Sequence, residues 1–279
     1  MRDPHVEALY YRLETGQQLA FSGPSPVERD ADTFSLRLSD GQLVVRMKNH
    51  YATDTAARLA VEPYLRSWEI ATALRHGPGA MKFVFERADV IDRDPPPPGA
   101  GVVLTPVTAT ITVGVMAPTV LRTVSQYPDP PDSFEASPDV VDMWERYQGY
   151  CAGEEPLPSM AKYVLTRFQQ TEARHTVSEK VVSKLGYLHT KVGTPRTLRK
   201  READQEVRPH TPTEIAWMED VVRAIIRRVG EWAANPNATW PQITLKDFPP
   251  IEDSRRKPKQ AHRPRASGAG RVVQTKPSI

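Results

Sequence analysis

The stretch Thr211-Pro212-Thr213-Glu214-Ile215-Ala216-Trp217-Met218, continuing to Ala234, decides how the second half of the chain folds. Thr211 can cap a helix with its hydroxyl, Pro212 suits the first helical position, and Glu214 stands where a capping box needs an acid. Ile215, Met218, Val222, Ile225, Val229 and Trp232 then recur at helical spacing, with Trp217, Val221 and Ile226 widening the seam. Arg223, Arg227, Glu219 and Glu231 lie off it. An apolar face this wide needs partners on more than one side, so the spacing predicts the last long helix of a bundle.

Working back from that helix, three shorter amphipathic segments complete the bundle. Ser137-Pro138-Asp139 reads as a helix start, followed by Val140, Trp144, Tyr147 and Cys151 on one face, which makes Cys151 a core residue. Met160, Val164 and Phe168 mark a second helix, and Val181, Leu185 and Leu188 a third. After Asn235-Pro236, the residues Trp240, Ile243, Leu245 and Phe248 are expected to fold back onto the domain. The bundle is therefore expected over 138–252.

The first 117 residues read differently. Asp40-Gly41 is a favoured dipeptide for a type I′ turn. Folding there pairs Leu38 with Leu43, Leu36 with Val45 and Phe34 with Met47, all on one face, with Ser35, Arg37, Val44 and Arg46 on the other. A slip of one residue would scatter that set, so the register is well specified. A second hairpin is expected over 8–22, around Glu14-Thr15-Gly16-Gln17. From Thr53 or Thr55 to about His76, Ala57, Val61, Leu65, Trp68, Ala71 and Leu74 give a helix with Gly77 as its stop; Pro63 should kink or split it. Strands are expected over 81–90 and around Val107–Val115. This is an α+β domain, an antiparallel sheet covered by one long helix, joined by a proline-rich linker over 118–137 to the all-α bundle.

Composition limits the function classes. The chain has 279 residues, 27 prolines and one cysteine, so no internal disulfide and no multi-cysteine metal site can form. No run reaches the length a membrane helix needs, the start is not a signal peptide, and a cytoplasmic protein is expected. The whole chain carries +3, yet residues 254–279 hold eight Lys/Arg and no acid, leaving −5 on residues 1–253. The segment 253–279 is expected to be a disordered basic tail.

Chemical motifs are mostly absent. There is no phosphate-binding glycine loop, no nucleophile elbow and no paired-histidine metal helix, so no cofactor is expected. Asp89, Asp92 and Asp94 are the densest carboxylates, and oxygen ligands of this kind suit a divalent cation. The basic run Arg196, Arg199, Lys200 and Arg201, with Arg255, Arg256, Lys257, Lys259, Arg263 and Arg265 in the tail, suits an acidic partner or weak sequence-independent nucleic-acid binding. The arginine-rich loop ahead of the Thr-Pro-Thr-Glu helix start resembles the HEPN-type helical bundle of bacterial defence and toxin proteins over roughly 138–235. The resemblance implies that an arginine and a histidine, here Arg201 and His210, would cleave RNA. Eight residues separate them, more than the family's nuclease pair has. The family's shorter spacing is met only by Arg255 and Arg256 with His262, in the expected disordered tail, so the resemblance implies a member without nuclease activity. The leading expectation is a non-enzymatic interaction protein whose bundle docks a protein partner. An RNA-processing or toxin-like protein and a metal-dependent enzyme are the alternatives.

Overall fold

The Asp40-Gly41 turn forms as its chemistry requires. Asp40 has φ 51° and Gly41 φ 75°, the left-handed pair of a type I′ turn. It joins β4 (Phe34–Ser39) to β5 (Gln42–Met47), with Leu38 opposite Leu43, Leu36 opposite Val45 and Phe34 opposite Met47. All six are buried. A computed structural model describes residues 3–16, 19–94, 122–193 and 206–251 of the chain. The expected strand at Val107–Val115 and the tail from Asp253 lie outside the described residues.

Around this hairpin lies a five-stranded antiparallel sheet. Its order is β3 (Val27–Asp30), β4, β5, β1 (Pro4–Glu14) and β6 (Lys82–Asp92). The expected hairpin over 8–22 does not form. Both edges of β1 are occupied, one by β5 and one by β6, so β2 (Leu19–Ser25) has no edge of β1 to join. It pairs in parallel with β7 (Arg122–Gln126), inside the stretch expected to be a linker.

The helix α1 (Asp54–His76) is capped by the Thr53 hydroxyl, which accepts from the Ala56 amide at 3.2 Å. Pro63 neither ends nor splits it. Pro63 and Leu59 are both exposed, so the carbonyl that loses its partner lies toward water. The helix serves two cores. Ala57, Val61, Leu65 and Trp68 pack onto the sheet, while Ile70, Ala73 and Leu74 join the core of the bundle.

That bundle comprises α2 (Pro138–Cys151), α3 (Leu157–Gln170), α4 (Glu179–Lys191) and α5 (Pro212–Ala234). The wide apolar face of α5 is satisfied as its width demands, against α1, α2, α3 and α4. Thr211 and Glu214 form the expected capping box. Cys151, expected in the core, is exposed; it is the last residue of α2, where the helix has run past its buried face, and Tyr147 one turn earlier carries the packing.

The segment after β7 ties the two units together. Tyr127 is buried in the sheet core, and its hydroxyl oxygen accepts a hydrogen bond from the Gly41 amide of the turn at 2.9 Å. The Trp68 indole donates to the Pro128 carbonyl at 3.1 Å, and the Ala136 amide donates to the Ser67 hydroxyl at 2.9 Å. Phe134 enters the bundle core against Gly230, where an added Cβ would lie 2.2 Å from the ring. Beyond the C-terminal end of α5, Ile243 donates to the Thr176 carbonyl and accepts from the Ser178 amide, both at 2.8 Å. Ile243 and Phe248 pack on the bundle as expected, Trp240 lies under Arg228, and Leu245 is exposed. No helix of the described residues is long and apolar enough to cross a membrane.

Candidate functional site

Asp89 and Asp92 are used within the sheet, and Asp94, just beyond β6, takes part through its backbone amide. Asp89 accepts from the Tyr10 hydroxyl at 2.7 Å and from Arg87, whose guanidinium also lies 3.6 Å above the Tyr10 ring. One oxygen of Asp92 accepts from the backbone amides of Asp3 and Asp94, at 3.0 and 3.2 Å. These bonds fasten the first residues of β1 to the end of β6. Among the described residues no three or more His, Cys, Asp or Glu are grouped to hold a metal.

The basic run Arg196, Arg199, Lys200 and Arg201 and the tail cations Arg255, Arg256, Lys257, Lys259, Arg263 and Arg265 lie outside the described residues. What holds the ends of the basic run is visible. The two-residue strands β8 (Val192–Gly193) and β9 (Glu206–Val207) pair in parallel between the end of α4 and the start of α5. His210 follows, its ring nitrogen 3.1 Å from the Leu188 carbonyl. Arg208 makes a forked pair with Glu214, 2.7 Å to each carboxylate oxygen. The Arg208 guanidinium, followed by the Thr211 amide, overcomes burial and holds the Glu214 carboxyl at about 2, well below the usual range. His210 and Arg208 thus join the last turn of α4 to the first turn of α5, a structural use of both residues.

A cluster the sequence reading did not assemble lies where α1 meets α5. Arg223 and Arg227 stand one turn apart on α5, and Arg75 is in the last turn of α1. Arg223 pairs with Asp220. Arg227 is half-buried. It makes no ion pair or hydrogen bond among the described residues, and the charges acting on it are Arg75, Glu231 and Arg223. The acid among them is engaged elsewhere, since Glu231 accepts from the Arg228 guanidinium at 3.0 Å. Burial, and then the positive charge of Arg75, pull the Arg227 pKa down. Neighbouring α5 acids are also committed: Glu219 accepts from the Tyr150 hydroxyl at 2.5 Å, and Asp220 holds Arg223. A guanidinium offers five donors in a fixed fork and does not lose its charge. Arg227 therefore presents unfilled donors on a partly desolvated surface, beside an Arg223 already paired with Asp220, and unfilled guanidinium donors are what a carboxylate or another small oxyanion takes up best.

A second open feature is a groove of about 620 Å³ between α1 and β6. Its lining includes Tyr11, Leu65, Phe83 and Phe85, together with Arg58 and Glu62. No family model, curated protein or solved structure matches the chain.

Proposed function

We propose that this chain is a non-enzymatic interaction protein whose bundle docks a protein partner through an acidic group received by Arg227, Arg223 and Arg75. The observation that carries the reading is Arg227: half-buried, without an ion pair or hydrogen bond among the described residues, and acted on by two like charges and by one acid, Glu231, that is bonded to Arg228. Like charges held together lower stability unless something compensates them. A partner carboxylate between the guanidiniums supplies that compensation and converts it into affinity and orientation. The basic residues of 196–201 and 255–265 then act at longer range, raising the rate at which an acidic partner arrives without fixing its pose.

Fluorescence anisotropy with a labelled oligoglutamate, the full-length chain and its Arg223→Gln/Arg227→Gln variant tests the proposal. Oligoglutamate is expected to bind the natural chain at low salt and to lose about tenfold in affinity in the variant, which corresponds to about 1.4 kcal/mol. Absence of binding, or equal binding by both proteins, overturns the reading. A labelled DNA duplex that binds more tightly than oligoglutamate, and loses the same affinity in the variant, would transfer the site to nucleic acid and likewise overturn it.

A further inference from the structure

The α1–β6 groove contains a polar atom without an explanation. Tyr11 is 1% exposed, and its hydroxyl has no hydrogen-bond partner. Buried hydroxyls in folded proteins are almost always satisfied, and leaving one unpaired is unfavourable. The ring itself is well held, packed edge-on against Phe85 with centroids 5.6 Å apart. The hydroxyl is therefore fixed in position within the lining of the groove, where the donor-only Arg58 guanidinium is the side chain that approaches it and its own proton has no acceptor.

Beside it stands a pair of opposite charges. Arg58 and Glu62 are the charged groups acting on the Tyr11 hydroxyl. They form an ion pair at 2.7 Å, with side chains 36% and 41% exposed. The Arg58 guanidinium also rests 4.4 Å from the centre of the Phe85 ring, so its own position does not depend on Glu62. Glu62 is the member of the pair most easily replaced.

The other end of the groove is already settled. Glu69 accepts from the Phe83 amide at 2.7 Å, the free N–H of the outermost strand among the described residues, and Arg66 stands at 3.5 Å from its second oxygen. That carboxylate is spent on covering the strand edge. Between the two ends lie the apolar surfaces of Leu65, Phe83 and Phe85, and Leu59 stands at the rim, 70% exposed. The volume is in the range of small-molecule sites, which combine an apolar body with a few fixed polar groups.

We propose that this groove binds a small aromatic carboxylate, whose acid takes the place of Glu62 on Arg58 and accepts the hydroxyl proton of Tyr11, while its ring lies on Phe83 and Phe85. The acid end is assigned by the donor-only guanidinium and the unused hydroxyl together; a neutral or cationic end group would leave Arg58 paired with Glu62 and the hydroxyl still unsatisfied. The aromatic body is assigned by the rings in the lining and by the exposed apolar rim. This site is separate from the arginine cluster at the α1–α5 junction, and neither proposal depends on the other.

Isothermal titration of the full chain with 2-naphthoate, and with the neutral 2-naphthamide, tests it. Saturable binding of 2-naphthoate is expected, with the amide at least tenfold weaker. Tyr11→Phe keeps the ring and removes only the unpartnered hydroxyl, so it should fold with an unfolding midpoint no lower than that of the natural chain and bind 2-naphthoate about tenfold more weakly. Glu62→Gln removes the competing carboxylate and should bind about threefold more tightly. The Glu62 variant lies on the exposed side of α1, so it keeps the test open even if Tyr11→Phe fails to fold. No binding of 2-naphthoate, equal affinity for the amide, an unchanged affinity in Tyr11→Phe, or weaker or unaltered binding in Glu62→Gln would each overturn the proposal.

Discussion

Arg37 on the sheet and Arg227 on α5 are the same residue type on the polar side of an amphipathic element, and their surroundings differ. The outer face of β4 and β5 lies open, so Arg37 pairs with Glu28 at 3.2 Å with both side chains more than half exposed. Exposed pairs of this kind contribute little, because water already solvates both charges. On α5 Arg223 and Arg227 are only partly exposed, and α1 packs against the helix and gives Ile70, Ala73 and Leu74 to the bundle core. The charge on Arg227 has lost solvent, and the acid acting on it, Glu231, is bonded to Arg228 instead. Where a second layer closes over a charged row, an ordinary surface arginine becomes an uncompensated one, and that difference locates the candidate site.

The first way to break the comparison is to remove what brings the layers together. Trp68 is fully buried in the sheet core and reaches the Pro128 carbonyl at the crossing between the units. Trp68→Ala should cost about 3–5 kcal/mol, measured as a lowered urea midpoint. Gly230→Ala should also be costly, because the Phe134 ring must leave its place against α5. Its distinguishing sign is earlier proteolysis in the segment 127–136 than anywhere in the sheet.

Glu214 tests the opposite case, an enclosed charge on α5 that is compensated. Its depressed carboxyl corresponds to about 3 kcal/mol. A group whose folded pKa is lowered stabilises fully above its unfolded value, near 4.5, and loses that contribution as pH falls toward about 2. Glu214→Gln should therefore be destabilised at neutral pH by about 2–4 kcal/mol. Its midpoint should converge with that of the natural chain between pH 4.5 and 2; parallel curves across that window would contradict the assignment.

The sheet side supplies a smaller effect. Gly41→Val places a β-branched residue at φ 75° and should cost about 1–3 kcal/mol. An unchanged midpoint would show that the turn tolerates what its backbone forbids.

Much of the fold was legible because it follows from local chemistry. The Asp40-Gly41 dipeptide and the alternation around it specify a register residue by residue, and Thr211-Pro212-Thr213-Glu214 specifies a helix start. The misreadings share one cause. Alternation in Leu19–Phe21 reveals a strand, yet not that both edges of β1 are taken. Proline content marks 118–137 as a linker, yet Tyr127 and Phe134 belong to two different cores. Cys151 keeps the helical spacing after the helix has left its partners. The candidate sites were illegible for the same reason. Arg223 and Arg227 are visible as a pair on one helix, but only packing brings Arg75 beside them. An unsatisfied Tyr11 hydroxyl has no signature in sequence at all.

The central claim is that the α1–α5 junction keeps an uncompensated cation for a partner at the expense of stability. Arg227→Met removes the charge and keeps most of the side chain's length. The urea midpoint of this variant, measured on the isolated full-length chain, is the most direct test. The account predicts a midpoint equal to or higher than that of the natural chain, by up to about 1 kcal/mol in stability. A midpoint lowered by more than about 1 kcal/mol would show that Arg227 is already compensated within the folded chain, and would contradict the claim.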